Sequence, residues 1–117
     1  MAIECGSEKL HEERIKVALE NMPADGRIEE MAARFKAISE PSRLKILLAL
    51  EGGELCVEHI VAAVGGNQSA VSHQLKTLKD NKIVKSRREG KKILYSVSDE
   101  HIMNMIELAK QHLDCEE

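Results

Sequence analysis

The chain has 117 residues with no Trp, one Phe and one Tyr. Gripping single-stranded nucleic acid by base stacking needs aromatic platforms, so that mode is excluded. No apolar run approaches the roughly 20 residues of a membrane-spanning helix. The N-terminal MAIECGSEKL also lacks the apolar core of a signal peptide. A cytoplasmic protein with no membrane partner is expected. Cysteine is sparse, with Cys5, Cys56 and Cys115 alone. In a reducing compartment these serve as thiols or metal ligands rather than as structural disulfides. Enzyme signatures are missing too. There is no nucleophile elbow, phosphate loop or His-Glu-x-x-His, and adjacent Ser72 and His73 on one helix point in different directions. Catalysis is not expected. Repeats, low-complexity tracts and linkers are absent as well, so residues 1–117 are expected to form one domain.

What the chain does have is charge, unevenly placed. The formal net charge of -3 speaks by itself against nucleic acid. From Lys76 to Lys92, however, eight Lys or Arg stand against Asp80 and Glu89, a local net of +6. From Asp99 to Glu117 six acids face Lys110 alone, a local net of -5. The basic stretch can meet phosphates, while the acidic tail must point elsewhere or meet a cation.

Taken in order, residues 1–9 are polar and are expected to form a mobile N-terminal arm carrying Cys5. Ile15, Ala18, Leu19 and Met22 share a stripe on a helix expected over about 10–22, ended by Pro23 to Gly26. Asp25 can cap a second helix carrying Ile28, Met31, Ala32, Phe35 and Ile38. Pro41 suits the first position of a third, over 41–50, which is apolar nearly all round and is expected to be the buried centre. Glu54-Leu55-Cys56 fits a short strand, and Val57 to Val64 a short helix with Ile60, Val61 and Val64 inside.

The stretch from Asn67 to Val97 carries the function. Gly65-Gly66 breaks the preceding element and Asn67 is a good N-cap. Val71, Leu75 and Leu78 then recur at helical spacing as a buried stripe. Ser69, Ser72, His73 and Lys76 share the other face, short or basic as suits a helix entering a groove. After Asn81 the period becomes two. Ile83 to Arg88 and Lys91 to Val97 fit strands of a hairpin turning at Glu89-Gly90, with Ile93, Tyr95 and Val97 inward. The outline is a winged helix-turn-helix, mainly α with a small β-hairpin, with 57–81 the helix-turn-helix and 83–97 the wing. Double-stranded DNA is the expected partner.

A last helix is expected over about 99–115, capped by Ser98 or Asp99, with Ile102, Met105, Ile106, Ala109 and Leu113 as its apolar stripe. Amphipathic helices at both ends invite a homodimer. His101 and His112 differ by only about 20° around this helix but lie about 16 Å apart along it, too far to share an ion in one chain. Antiparallel pairing of two copies would place Asp99 and His101 of one beside His112 and Cys115 of the other. Two imidazoles, a carboxylate and a thiolate suit Zn(II), Co(II) or Cd(II). The competing reading, a surface helix with exposed polar residues, has equal weight on spacing alone. Cys56 with His59, and Cys5 with His11, form a second cluster of ligand types, although a lone cysteine is more often a small buried apolar residue.

The segments FKAISEPSRLKILLAL, ELCV, QSAVSHQLKTLKDNKIVKSRREGKKILYSV and DEH…H..C resemble the ArsR/SmtB family of bacterial metal-sensing repressors. The resemblance covers most of the chain, and implies a homodimeric winged helix that binds a palindromic operator when metal-free and leaves it on metal binding. It places the family's C-terminal-helix zinc site on Asp99, His101 and His112. Cys115 stands where a carboxylate or His is usual, a softer ligand that favours cadmium. A second family site, near ELCV, would fall on Cys56 with His59 or Glu58, Cys5 and His11, but the second cysteine of an ELCVC pattern is missing. DNA-reading positions fall on Gln68, Ser69, Ser72, His73 and Gln74, with Lys76 beside them and Arg88, Lys91 and Lys92 in the wing. A thiol-responsive repressor using Cys5, Cys56 and Cys115 is the alternative on the same fold.

Overall fold

The structure, a computed structural model, describes residues 8–115. The chain forms two compact units, Met1–Met31 and Ala32–Glu117. Within the first, α1 spans Glu8–Asn21 and holds no buried residue. Leu10, Ile15, Val17 and Leu19 on it are exposed. Helix α2, Asp25–Ile38, starts at the Asp25 expected to cap it, and buries Ala37 and Ile38 at its C-terminal end.

The second unit is built on α3, Pro41–Ala49. Pro41 takes the first helical position, where its missing N–H is no loss, and the Glu40 side chain caps the Arg43 amide. Ser42 Oγ also donates to Glu40, and that bond holds the carboxyl below its usual pKa. A single 3-10 turn, Leu50–Gly52, closes the helix. Ile46, Leu47 and Leu50 are buried, but Leu48 is 39% exposed, so α3 is not enclosed on every side as expected. The single chain is too small to cover both faces of this helix.

Strand β1, Leu55–Cys56, leads into α4, Val57–Val64, and then α5, Gln68–Asp80. Gly65 and Gly66, at φ 87 and 85, make the turn between the two helices, a left-handed pair that side chains with a Cβ rarely adopt. Asn67 then caps α5, its side chain accepting from the Ala70 amide at 2.8 Å. Val71, Leu75 and Leu78 form the buried stripe of α5, packed with Ile46, Leu47 and Ile60.

Strands β2, Val84–Glu89, and β3, Lys92–Val97, form the wing. The sheet order is β1-β3-β2, all antiparallel, with Leu55 opposite Tyr95 and Val84 opposite Val97. The hairpin turns at Gly90-Lys91, one residue later than expected. Ile93 also departs from expectation: it is 47% exposed. It sits opposite Arg88 near the hairpin tip, beyond the reach of the helices. Tyr95 and Val97, closer to the base, pack on the core.

Helix α6 spans Glu100–Asp114 and is capped by Asp99, which settles the choice left open between Ser98 and Asp99. Ile102 and Ile106 join the core and Met105 packs against it, whereas Leu113 is 65% exposed.

Candidate functional site

On α5 the sequence-predicted reading residues Gln68, Ser69, Ser72, His73 and Lys76 all lie exposed. The apolar stripe fixes this face outward, because Val71, Leu75 and Leu78 occupy the opposite one. Lys76 spends part of its charge at home, in an i,i+4 pair with Asp80 at 3.2 Å. Exposed pairs of this kind are weak, so it remains free to swing to a phosphate. Gln74 differs from the rest. It is half-buried, and its Oε1 accepts from Arg43 Nη1 at 2.9 Å, across from α3.

In the wing Arg88, Lys91 and Lys92 are exposed, and Arg88 Nε donates to the Gly90 carbonyl at 3.1 Å. Lys79 Nζ donates to Ser86 Oγ at 2.7 Å, pinning the wing to α5. Not all the basic charge is available. Arg87 is held in a fork by Glu54, with Nε to Oε2 at 2.6 Å and Nη2 to Oε1 at 2.7 Å, and Glu89 lies 2.8 Å from Nη2. These bonds raise the Arg87 pKa further above its ordinary value. Nothing in the sequence signalled this pair, whose members are 33 residues apart.

The Arg87 bonds hold the Glu54 carboxyl below its ordinary value of 4.5. A carboxyl lowered in the folded state adds stability above its unfolded pKa and loses it as pH falls through the lower folded value. Glu54→Gln is therefore expected to be less resistant to urea than the parent at pH 7. The gap should narrow as pH falls below the ordinary carboxylate range and through the lower folded value. Equal gaps at pH 7 and pH 3 would show that the pair does not brace the wing.

At the start of α6, Asp99 Oδ1 accepts from the His101 amide at 2.9 Å and lies 3.3 Å from His101 Nδ1. The N-terminal helix cap thus places a carboxylate and an imidazole together. His101 is exposed over 81% of its side chain. His112, in the last turn, and Cys115, the C-cap, are also exposed and stand at the other end of the helix. Among the described residues no three His, Cys, Asp or Glu side chains come together as a metal cage. The donor types still fit a tetrahedral divalent ion: the carboxyl of Asp99 and both imidazoles are on exposed side chains, and Cys115 offers an exposed sulfur at the C-cap.

The second group of ligand-type residues falls on separate elements. Cys56 is a buried core residue at the N-cap of α4 and makes no cap hydrogen bond, as the structural alternative for a lone cysteine requires. His59 is exposed on α4, His11 lies on α1, and Cys5 falls outside the described residues. Burial also shields Cys56 from the oxidants that a thiol switch using Cys5, Cys56 and Cys115 would need.

A helix-turn-helix with its polar face outward, braced to a basic hairpin, defines a winged-helix transcriptional regulator. Residues 40–86 match the profile of the bacterial regulatory proteins of the arsR family. A transcriptional repressor SmtB homolog of Synechocystis is 37% identical over 93% of this chain and 83% of its own. A cadmium resistance transcriptional regulatory protein CadC homolog of Staphylococcus aureus is 36% identical over 92% of this chain and 89% of its own. A homodimeric winged helix-turn-helix DNA-binding domain of Mycobacterium bovis superposes with a TM-score of 0.73 at 31% identity, covering 80% of this chain and 90% of that one. The chain belongs to the arsR family and is a transcriptional repressor rather than an enzyme.

Proposed function

We propose that the repressor is metal-responsive. Its metal-free dimer holds a palindromic operator and releases it when Zn(II), or the similar Cd(II) or Co(II), is bound. Asp99 and His101 of one protomer, with His112 and Cys115 of the other, would be the ligands. The observation that carries this is the separation of the four donors to the two ends of α6, with no metal cage among the described residues of one chain. A site made from them needs a second copy. The Staphylococcus relative, named for cadmium resistance, and the homodimeric Mycobacterium domain support the same reading. Gln68, Ser69, Ser72 and His73 would serve the operator's bases, and Lys76, Arg88, Lys91 and Lys92 its phosphates, whereas Gln74, expected among the base readers, is turned toward Arg43.

A bound divalent ion would supply a cross-link between two α6 helices. The chain itself carries that constraint to the reading head. Val97 of the wing runs through Ser98 directly into the Asp99 cap. The Ser98 amide donates to the Ile83 carbonyl at 2.9 Å, and the Ile83 amide to Leu78 of α5, also at 2.9 Å. A shift at the start of α6 is therefore two hydrogen bonds from the recognition helix. Titration of a fluorescent operator complex with zinc, cadmium and cobalt tests the proposal. Retention of DNA at saturating levels of all three metals would refute it.

Dimerisation should not depend on metal. A groove of about 620 Å³ lies between α2, α3 and α6, lined by Phe35, Leu44, Leu48, Met105 and Leu113 among others. Phe35 is 55% exposed although it is the only phenylalanine. An open apolar groove with a half-exposed phenylalanine in it fits a partner surface. The metal-free protein is expected to sediment as a dimer at micromolar concentration, and Leu113→Glu as a monomer. A monomeric parent would contradict the reading.

A further inference from the structure

We infer that Arg43 is a positioning residue that sets the rotation of the recognition helix, and through it the discrimination of operator from random DNA. The inference rests on α5 being the reading helix. Arg43 lies on α3, away from the reading face of α5. Its planar guanidinium joins two elements at once: Nε donates to the Ala37 carbonyl at 2.6 Å, near the end of α2, and Nη1 to Gln74 Oε1 at 2.9 Å. The root of the side chain is fixed as well, because the Arg43 amide donates to the Glu40 carbonyl at 3.0 Å and to Glu40 Oε2 at 3.3 Å. A guanidinium has only donors, so the amide oxygen of Gln74 must be the atom that faces it. Gln74 is thereby held from one side, while its neighbour His73 is exposed.

The apolar stripe cannot do this alone. Hydrophobic contact is non-directional, so Val71, Leu75 and Leu78 decide which face of α5 is inward but only loosely its rotation. Side-chain tips lie about 5–6 Å from a helix axis, so a turn of about 20° moves them by about 2 Å. Hydrogen bonds to bases do not survive such a displacement. The bond from Arg43 to Gln74 is directional, half-buried and tied to a carbonyl of the core, which makes it the device that holds the angle. Gln74 then acts through the helix rather than by touching a base.

The test uses the full chain, a duplex carrying the palindrome that the parent protein selects from a random pool, and a scrambled duplex of the same length. Arg43→Lys keeps the charge but cannot span both acceptors with one ammonium. Gln74→Met keeps the bulk and removes the acceptor, in case Arg43→Lys fails to fold. Each is expected to lower the ratio of selected to scrambled affinity about tenfold, within the range of one lost base contact. Scrambled-DNA affinity and its salt slope should stay unchanged, and the double variant should be no worse than either single one. Gln74→Glu keeps the acceptor and should keep the ratio, a rescue that direct base reading by the Gln74 amide would not allow. An unchanged ratio in Arg43→Lys and Gln74→Met overturns the inference. So does loss of the ratio in Gln74→Glu alone, or an equal fall on both duplexes. A parent protein that selects no sequence would instead overturn the reading of α5 itself.

Discussion

His112→Gln is expected to lose most of the metal-dependent release from DNA, while Cys56→Ser keeps it. His112 stands in the last turn of α6 and is exposed, so its loss disturbs no core contact. It is a proposed ligand, and its second ring nitrogen remains able to hydrogen-bond the protein while the first holds a metal. Glutamine can retain some ligation but cannot reproduce that two-sided link. Cys56 is buried in the core and offers no open donor. Coupling between metal and DNA of about 1–3 kcal/mol corresponds to roughly 5–150-fold in operator affinity. By linkage, the DNA complex must bind metal more weakly by the same factor. Each variant is titrated with zinc and cobalt while a fluorescent operator is followed. Regulation lost with Cys56 and retained without His112 would move the sensing site to the N-terminal cluster of Cys5, His11, Cys56 and His59.

The second large effect falls on α5. Ser72→Ala or His73→Ala should weaken operator binding by about 1–3 kcal/mol, the scale of a base-edge contact, with little change on random DNA. Both side chains are exposed, opposite the buried stripe, so truncation leaves the core intact. Lys91→Ala and Lys92→Ala should instead weaken both duplexes alike and flatten the salt dependence, because phosphate contacts release counterions regardless of sequence. Arg87→Ala should act differently from these. Its charge is already committed to Glu54 and Glu89, so it is expected to loosen the wing and to change the salt slope least. Operator preference left intact in both Ser72→Ala and His73→Ala would mean that another element reads the bases.

These effects trace to different levels of the chain. The six helices and the wing were legible in the sequence, since periods of 3.6 and two are local and survive without knowledge of neighbours. The caps Asn67 and Asp99, and Pro41 at the first turn of α3, were legible for the same reason: each acts within a few residues. The exposure of the polar face of α5 also followed from its own stripe. The proposed donors Asp99, His101, His112 and Cys115 were named from spacing, which left them level with a plain surface helix, and the length of α6 keeps the two halves apart in one chain.

Only the tertiary structure decided the rest. Ile93 follows the alternation of its strand yet lies exposed, because alternation assigns a face while the helices behind the sheet decide whether that face is covered. Leu48 and Phe35 look like core residues and instead line a groove. A surface can be counted as buried only when the element opposite it is known. The bonds from Arg43 to Gln74 and from Glu54 to Arg87 join residues 31 and 33 positions apart. Hydrogen bonds between side chains so distant depend on how helices and strands are placed to within tenths of an ångström. No local pattern encodes that placement, which comes from the packing of the whole core.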